Sequence, residues 1–422
     1  MEQTKRIVMK FGGKCLANLA LIKAVADYLK EYLAKYPDFK IIAVVSAMGS
    51  FTDDALRQIN ELAPTAQKKQ GREIDYVTQA GEGISAGLLA IRLNEIGVSA
   101  ISLNALQLGI STTGNFQEAR ITNIDRAKLE NELSKQDVLV VTGFQGVHES
   151  DAGVIVTLGR GGSDTTAVAV AASLGCGCQF YKKANGVTVC DSDLAPNAKV
   201  LKFCTYGDAL DMATYGYEFL HPRCLEIAQR FGIQLEFKAS PGLGGDPWAK
   251  GTVICERQDV IEEQPDFRAI AVKEGITLIT IHNVPNQAGW SAKIFNKVEN
   301  LNLIDFQQII YGLKRENALI AIILTDEIAA GVKENLQKWL ERYPELQISS
   351  VSGLANLTFI DAAMSQQPGF ALALSEILAQ EGINIEGQYT SGKKIHTQIA
   401  SADIANAILA LAKHFSLIEQ KA

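Results

Sequence analysis

The most informative run in this chain is Thr157-Leu-Gly-Arg-Gly-Gly-Ser-Asp-Thr-Thr166, which follows a short apolar stretch at residues 154–156 that is typical of a β-strand. Its glycines allow the backbone to turn tightly and to approach a ligand closely. Ser163 or Asp164 is placed to cap the helix that follows, and a helix N-terminus attracts anions. Arg160 adds a two-pronged donor for a carboxylate or a phosphate. By itself, the run fits an ordinary strand-to-helix turn equally well.

Three further predicted strands end in loops of similar composition. These three loops are residues 10–13, 46–52 and 143–146, and residues 160–164 form a fourth loop of the same kind. Strands that alternate with helices predict an open α/β sheet with helices on both faces, in which ligands bind at the carboxyl ends of the strands. Because four such loops meet at that edge, we expect a site for phosphate and carboxylate groups. Lys10 and Arg160 should point into one cleft there.

The overall composition excludes several classes of function. The chain has 422 residues, 47% of them hydrophobic and 21% charged, and its net charge of -7 disfavours a general role in binding nucleic acid or anionic membranes. Its seven cysteines form no CxxC pair, which indicates a reducing compartment and no cysteine-based metal site. No apolar stretch reaches the ~20 residues of a membrane span. We therefore expect a cytoplasmic protein with no nucleic-acid or membrane partner.

The C-terminal part contains an internal repeat. Two copies of a strand, turn, helix and strand are related by Gly289 and Gly369, which lie 80 residues apart. This pattern predicts two small ferredoxin-like modules. We place the domains at residues 1–262, 263–345 and 346–422, and leave open that the last strand returns to the first module. Such modules also repeat in proteins where they bind nothing.

Several motifs occur in the order and spacing of one known family: Lys10-Phe-Gly-Gly13, Val45-Ser-Ala47, Gly81-Glu82, Gly143-Phe-Gln-Gly146, the Thr157–Thr166 run and Leu220-His-Pro222. In these motifs the chain resembles the aspartate kinases, and its C-terminal part resembles the paired ACT domains of that family. The resemblance implies a three-layer sandwich of the amino-acid kinase type with a mostly parallel central sheet. It also implies that the two ferredoxin-like modules are of the ACT type.

The same resemblance implies an activity. Aspartate kinases transfer the γ-phosphoryl group of ATP, with Mg²⁺, to the side-chain carboxylate of L-aspartate, which gives 4-phospho-L-aspartate for amino-acid biosynthesis. The ACT-like modules imply feedback by an amino-acid effector and a homodimer. The reaction depends on positioning and on charge stabilisation more than on covalent chemistry.

Site residues follow from the matching motifs. The resemblance implies that Lys10 and Asp164 are catalytic. The residues expected to bind the amino acid are Ser46, Ala47, Thr52, Glu82, Arg160 and Ser163. The residues expected to bind the nucleotide are Gly12, Gly13, Gly161, Gly162, Lys182, Lys183, Gly186 and Asp191. No residue of the chain is expected to ligate a metal.

The nucleotide half departs from the family pattern. Lys182 and Lys183 replace the family's Thr and Asp. Asp193 and Glu218 replace cations, and each swap turns an attraction for the triphosphate into a repulsion. Three hypotheses stay open: an aspartate kinase, a non-catalytic relative that senses an amino acid, and a kinase of another carboxylate substrate.

Overall fold

The computed structural model describes residues 5–151, 153–256, 268–298, 303–312, 315–361, 364 and 369–419. The chain divides into two compact units. The first unit comprises residues 1–188, 200–214 and 218–263, and the second comprises residues 189–199, 215–217 and 264–422. The boundary predicted at residues 262 and 263 lies outside the described residues. No described helix is long and apolar enough to cross a membrane.

The first unit contains strands β1–β12 and helices α1–α10. Strands β1 to β12 span, in order, Lys5–Phe11, Phe39–Val45, Ala100–Leu103, Ile110–Thr113, Arg120–Ile124, Val138–Thr142, Gln145–His148, Ile155–Thr157, Cys178–Lys182, Phe203–Cys204, Leu235–Ala239 and Thr252–Ile254. Helices α1 to α10 span, in order, Leu19–Lys35, Phe51–Leu62, Ala66–Lys69, Gly71–Thr78, Ala80–Glu95, Ala105–Leu108, Arg126–Lys135, Gly162–Leu174, Tyr206–Thr214 and Pro222–Phe231.

The central sheet of this unit has eight strands in the order β10-β12-β11-β9-β1-β2-β6-β3. Its neighbours run parallel except β11 and β12, which are antiparallel. β6 is buried along its whole length, and residues 41–45 of β2 are buried as well. Such burial is expected because helices cover both faces of a parallel sheet. The mostly parallel sheet of the predicted fold class is confirmed.

The alternation of side chains along β1 sets the position of Lys10. Met9 and Phe11 are fully buried in the core cluster that includes residues of α1 and α5. Because successive side chains of a strand point to opposite faces, Lys10 points to the other face, where α8 contacts β1. The same alternation that builds the core therefore directs this lysine towards the N-terminus of α8.

A smaller sheet of four strands has the order β5-β4-β7-β8, and the glycine run begins where β8 ends. Sequence analysis did not predict β4 or β5. Both are short and rich in Ser, Thr and Asn, so they lack the apolar periodicity that marks a strand.

The second unit contains strands β13–β18 and helices α11–α14. The strands span Arg268–Pro285, Asp305–Tyr311, Asn317–Thr325, Gln347–Asp361, Gly387–Ser391 and Lys394–Ala400, and the helices span Trp290–Phe295, Asp326–Leu340, Phe370–Gln380 and Ile404–His414. The strands form one antiparallel sheet in the order β14-β15-β13-β16-β18-β17.

Two long strands join the repeats of this sheet. Residues 268–273 of β13 pair with residues 356–361 of β16, whereas residues 276–282 of β13 pair with residues 347–354. The first half of β13 thus lies beside the strands of the second repeat, and the second half lies beside those of the first. Two ferredoxin-like modules that share β13 and β16 agree with the predicted fold class.

Candidate functional site

A cavity of about 300 Å³ lies at the carboxyl ends of β1 and β2, beside the start of α8. Lys10 and Arg160, which were expected in one cleft, both line it. The other predicted residues in its wall are Gly13, Ser46, Ala47, Thr52, Glu82, Gly161, Gly162, Ser163 and Asp164, and the unpredicted ones are Gly49, Asp53, Phe144 and Gly159. Segments far apart in the chain therefore form a single cavity, which we call the substrate cavity.

Two lysines share one carboxylate in this region. Lys10 forms an ion pair with Asp164, and Nζ of Lys182 lies 3.7 Å from Oδ2 of Asp164. Lys10 and Asp164 are only 5% and 8% exposed. Burial raises the pKa of the Asp164 carboxyl, but the two lysines outweigh that effect and hold the pKa below its usual value. The cluster therefore contains two basic side chains and one carboxylate.

The start of α8 differs from the prediction. Ser163 or Asp164 was expected to cap this helix, and that expectation is wrong. Gly161 is the N-cap residue and the helix has no side-chain cap, since Ser163 and Asp164 already lie in its first turn. Gly161 adopts a φ of +70°, and a Cβ atom there would lie 2.5 Å from Cβ of His221. The helix N-terminus thus meets the substrate cavity through glycine backbone, which suits the binding of an anion.

Glu82 is the second buried carboxylate of the substrate cavity. Its Oε1 accepts a hydrogen bond from the backbone N–H of Ala47 at 3.1 Å. Its Oε2 is buried and has no hydrogen-bond partner in the described part of the chain. Burial raises the pKa of Glu82 to about 7, while the Ala47 hydrogen bond and the charge of Lys10 oppose the rise. An unpartnered buried oxygen of this kind is available to a hydrogen-bond donor from a ligand or from water.

Gly81 brings Glu82 to the cavity. A Cβ atom on Gly81 would lie 2.6 Å from Cβ of Ala47 and 2.5 Å from Cδ1 of Phe51. The first turn of α5 can therefore pack this closely on the loop after β2 only with glycine at this position. That close approach permits the hydrogen bond between Ala47 and Glu82.

Arg160 lies at an exposed part of the cavity wall. Its Nη2 donates a hydrogen bond to Oε2 of Glu218 at 2.9 Å, and both side chains are largely exposed. In the sequence, Glu218 stood out only as the loss of a nucleotide cation. The structure gives it a different neighbour, the guanidinium expected to hold the amino acid.

The remaining predicted nucleotide residues do not line the substrate cavity. A Cβ atom on Gly12 would lie 3.4 Å from Nζ of Lys10, so Gly12 lies beside the cluster, as Lys182 does. Lys183 is exposed, and Gly186 packs against Thr252. Asp191 belongs to the second unit, where its carboxylate accepts the N–H of Asp193. The nucleotide contacts of these residues stay predictions.

Sequence reasoning missed Asp75, a fully buried residue of α4. Its Oδ2 accepts the backbone N–H groups of Gln117 and Thr157 at 3.1 and 2.9 Å, and its Oδ1 accepts the Thr157 hydroxyl at 2.7 Å. Asp75 therefore ties the start of the glycine run to the loop between β4 and β5. The sequence offers little signal for this role, since the burial of positions 74, 75 and 78 is known only from the structure.

Comparisons with known proteins agree with this architecture. The Amino acid kinase family model matches residues 5–238. The aspartokinase of Bacillus sp. (strain MGA3) is 34% identical over 415 residues, which cover 97% of both chains. The aspartokinase of Geobacillus stearothermophilus is 33% identical over 417 residues, which cover 99% of this chain and 98% of the relative.

A solved structure shows the same fold. Escherichia coli aspartokinase III in complex with aspartate and ADP matches with a TM-score of 0.75 at 21% identity, over 98% of this chain and 100% of that one. The sequence match to curated aspartokinases extends over nearly the whole chain, beyond the part that the broader family model covers. The chain therefore belongs to the aspartokinases, within the amino acid kinase family.

Proposed function

We propose that this protein transfers the γ-phosphoryl group of Mg-ATP to the side-chain carboxylate of L-aspartate and forms 4-phospho-L-aspartate. One observation carries the proposal: the Lys10–Asp164 ion pair and the unpartnered Oε2 of Glu82 line the same cavity. One cavity thus offers a cation that can bind a phosphate group and a carboxylate oxygen that can accept a hydrogen bond from an ammonium group. E. coli aspartokinase III was solved in complex with aspartate and ADP, which supports the same pairing here.

The amino-acid side is built from opposite charges. Oε2 of Glu82 would accept the α-ammonium group of aspartate, and the guanidinium of Arg160 would bind its α-carboxylate with two hydrogen bonds. Ser46, Thr52 and Ser163 add hydroxyl groups to the same wall. A ligand with both an ammonium and a carboxylate group satisfies this arrangement, whereas a simple dicarboxylate would leave Oε2 of Glu82 unpartnered.

The phosphate side has an excess of positive charge. Lys10 and Lys182 share Asp164, and the N-terminus of α8 adds its dipole beside them. These groups would hold the transferring phosphoryl group and stabilise the charge that spreads over its oxygens. Mg²⁺ would enter on the phosphate oxygens of the nucleotide, because Asp164 is already engaged by two lysines.

Measured turnover tests the proposal. We expect ADP release that requires both Mg-ATP and L-aspartate, and we expect Lys10→Ala to lower kcat by about 10²-fold or more, as loss of a transition-state donor does. Lys5→Ala is the matched control on the same strand, since Lys5 is exposed and paired with Asp38. Near-normal kcat in Lys10→Ala would contradict the role of this lysine. Turnover with glutamate and none with aspartate would identify a kinase of another substrate.

A second candidate is an amino-acid sensor without kinase activity. The ion pair between Glu218 and Arg160 favours it, since an acid stands where the resemblance expects a nucleotide cation. Calorimetry with L-aspartate and Mg-ATP, added separately and together, separates the two candidates. Aspartate binding without nucleotide binding at millimolar Mg-ATP would support the sensor, and binding of both ligands supports the kinase.

For the second unit we propose a regulatory role in a cytoplasmic homodimer. Its two ferredoxin-like modules share a continuous sheet, which could couple effector binding in one module to the other. A second structure of E. coli aspartokinase III holds lysine and aspartate and represents a T-state of that protein. A screen of amino acids for changes in the aspartate KM, with sedimentation to measure the oligomeric state, tests this role.

A further inference from the structure

A second cavity of about 450 Å³ adjoins the glycine run. It shares Gly159 and Arg160 with the substrate cavity, and two more arginines, Arg120 and Arg223, contribute to its wall. Glu118 is the only carboxylate among the described residues that line it. We call this space the arginine cavity. No part of the proposed transfer reaction uses Arg120 or Arg223.

The position of Arg223 is fixed by neutral partners. Its Nη1 donates hydrogen bonds to the backbone carbonyls of Leu158 and Ala119, at 3.0 and 3.3 Å. Carbonyl groups orient a guanidinium without removing its charge. Across the residues that the structure describes, neither Arg120 nor Arg223 has a carboxylate oxygen within the 4.0 Å of an ion pair. Arg223 is thus held at the wall by neutral groups, and neither arginine forms an ion pair within the described residues.

The charge balance indicates the class of ligand. Three guanidinium groups line the cavity against the single carboxylate of Glu118, and Glu218 compensates only Arg160. Arginine forks match the oxygen pairs of carboxylate and phosphate groups. The volume lies within the range of sites for small molecules, roughly 300–1,000 Å³. A compact anion with several oxygens satisfies both the charge and the size.

We propose that the arginine cavity binds a small polyvalent anion that carries carboxylate or phosphate oxygens, and that this anion weakens the binding of aspartate. The predicted effect on aspartate binding rests on the proposed function, in which Arg160 holds the α-carboxylate of the substrate. A single guanidinium cannot offer the same donors to two anions in different cavities. The anion and aspartate therefore compete for Arg160, and each lowers the affinity of the other by the same factor.

Calorimetry on the full chain tests the proposal, with citrate and inorganic phosphate as separate probes at constant ionic strength and without metal. We expect at least one probe to bind, and Arg120→Gln to weaken its binding at least tenfold. Arg120→Lys, which keeps the charge, should retain part of the affinity. The matched control is Arg126→Gln, since Arg126 is exposed, lies on α7 and pairs with Glu130. The stronger probe identifies carboxylate or phosphate as the preferred group.

A second titration measures the coupling. A saturating concentration of the bound probe should lower the affinity for L-aspartate at least threefold in the natural protein and leave it unchanged in Arg120→Gln. Absence of binding by both probes would overturn the proposal, as would equal probe affinity in Arg120→Gln, which would show that Arg120 does not contact the anion. Probe binding is measured without turnover, so a negative result in the kinase assay would leave these binding results unaffected. Probe binding that leaves aspartate affinity unchanged would refute the coupling.

Discussion

Replacement of Glu82 by glutamine should stabilise the protein and impair its binding of aspartate. Burial raises the pKa of Glu82 from 4.5 to about 7. At 1.36 kcal/mol for each pKa unit, this difference corresponds to about 3 kcal/mol. Because Glu82 is only 2% exposed, solvent screens little of it. The neutral carboxyl is thus the form that the fold favours, and the ionised form is the one that an ammonium ligand requires.

The sign of the effect follows from linkage. The folded state of the natural protein holds the Glu82 proton more tightly than the unfolded state does, so stability from this group is complete below pH 4.5 and is lost as the pH rises through 7. Glutamine cannot ionise and can keep the hydrogen bond from Ala47. The free energy of unfolding of Glu82→Gln should therefore exceed that of the natural protein by up to about 3 kcal/mol at pH 8 and by little near pH 4.5.

Urea unfolding at pH 5 and pH 8 measures this difference, and calorimetry measures aspartate affinity. The natural protein should lose affinity by about tenfold for each pH unit below 7, as Glu82 takes up its proton. Glu82→Gln should bind aspartate weakly at every pH. Glu95→Gln, an exposed position on the same helix, is the control. An equal stability difference at both pH values, or unchanged aspartate affinity in Glu82→Gln, would refute the reasoning.

Three further predictions concern the start of α8 and its lysines. Asp164→Asn leaves the buried ammonium group of Lys10 and the partly exposed one of Lys182 without their shared carboxylate, so the free energy of urea unfolding should fall by about 3–5 kcal/mol; a loss below 1 kcal/mol would contradict the ion-pair argument. Lys182→Ala should weaken Mg-ATP binding at least tenfold in calorimetry and spare aspartate, whereas unchanged nucleotide affinity would exclude Lys182 from the phosphate site. Gly161→Ala should lower kcat/KM far more than Gly175→Ala, because both glycines have positive φ but only Gly161 meets a neighbour. Equal steady-state losses in the two variants would show that crowding at Gly161 is unimportant.

Some features of this protein were determined by the sequence alone. The apolar strands β2 and β6 and the alternation along β1 follow from side-chain patterns within a few residues. Local periodicity therefore predicted the parallel sheet, and the loops at its strand ends predicted a cleft shared by Lys10 and Arg160. The glycine run likewise predicted a tight turn before a helix, although it did not predict that Gly161 would be the N-cap residue.

Other features were decided by the tertiary structure. Asp75 and Thr157 form a hydrogen bond although they lie 82 residues apart in the chain, and Glu218 and Arg160 do so at a separation of 58 residues. Such pairs follow from which loops the sheet brings to one edge, and no periodicity within either segment encodes them. The raised pKa of Glu82 has the same origin, because desolvation depends on everything packed around a carboxyl group. Residue types thus indicated the chemistry of the cavity, and the packing of distant segments set its charges and its partners.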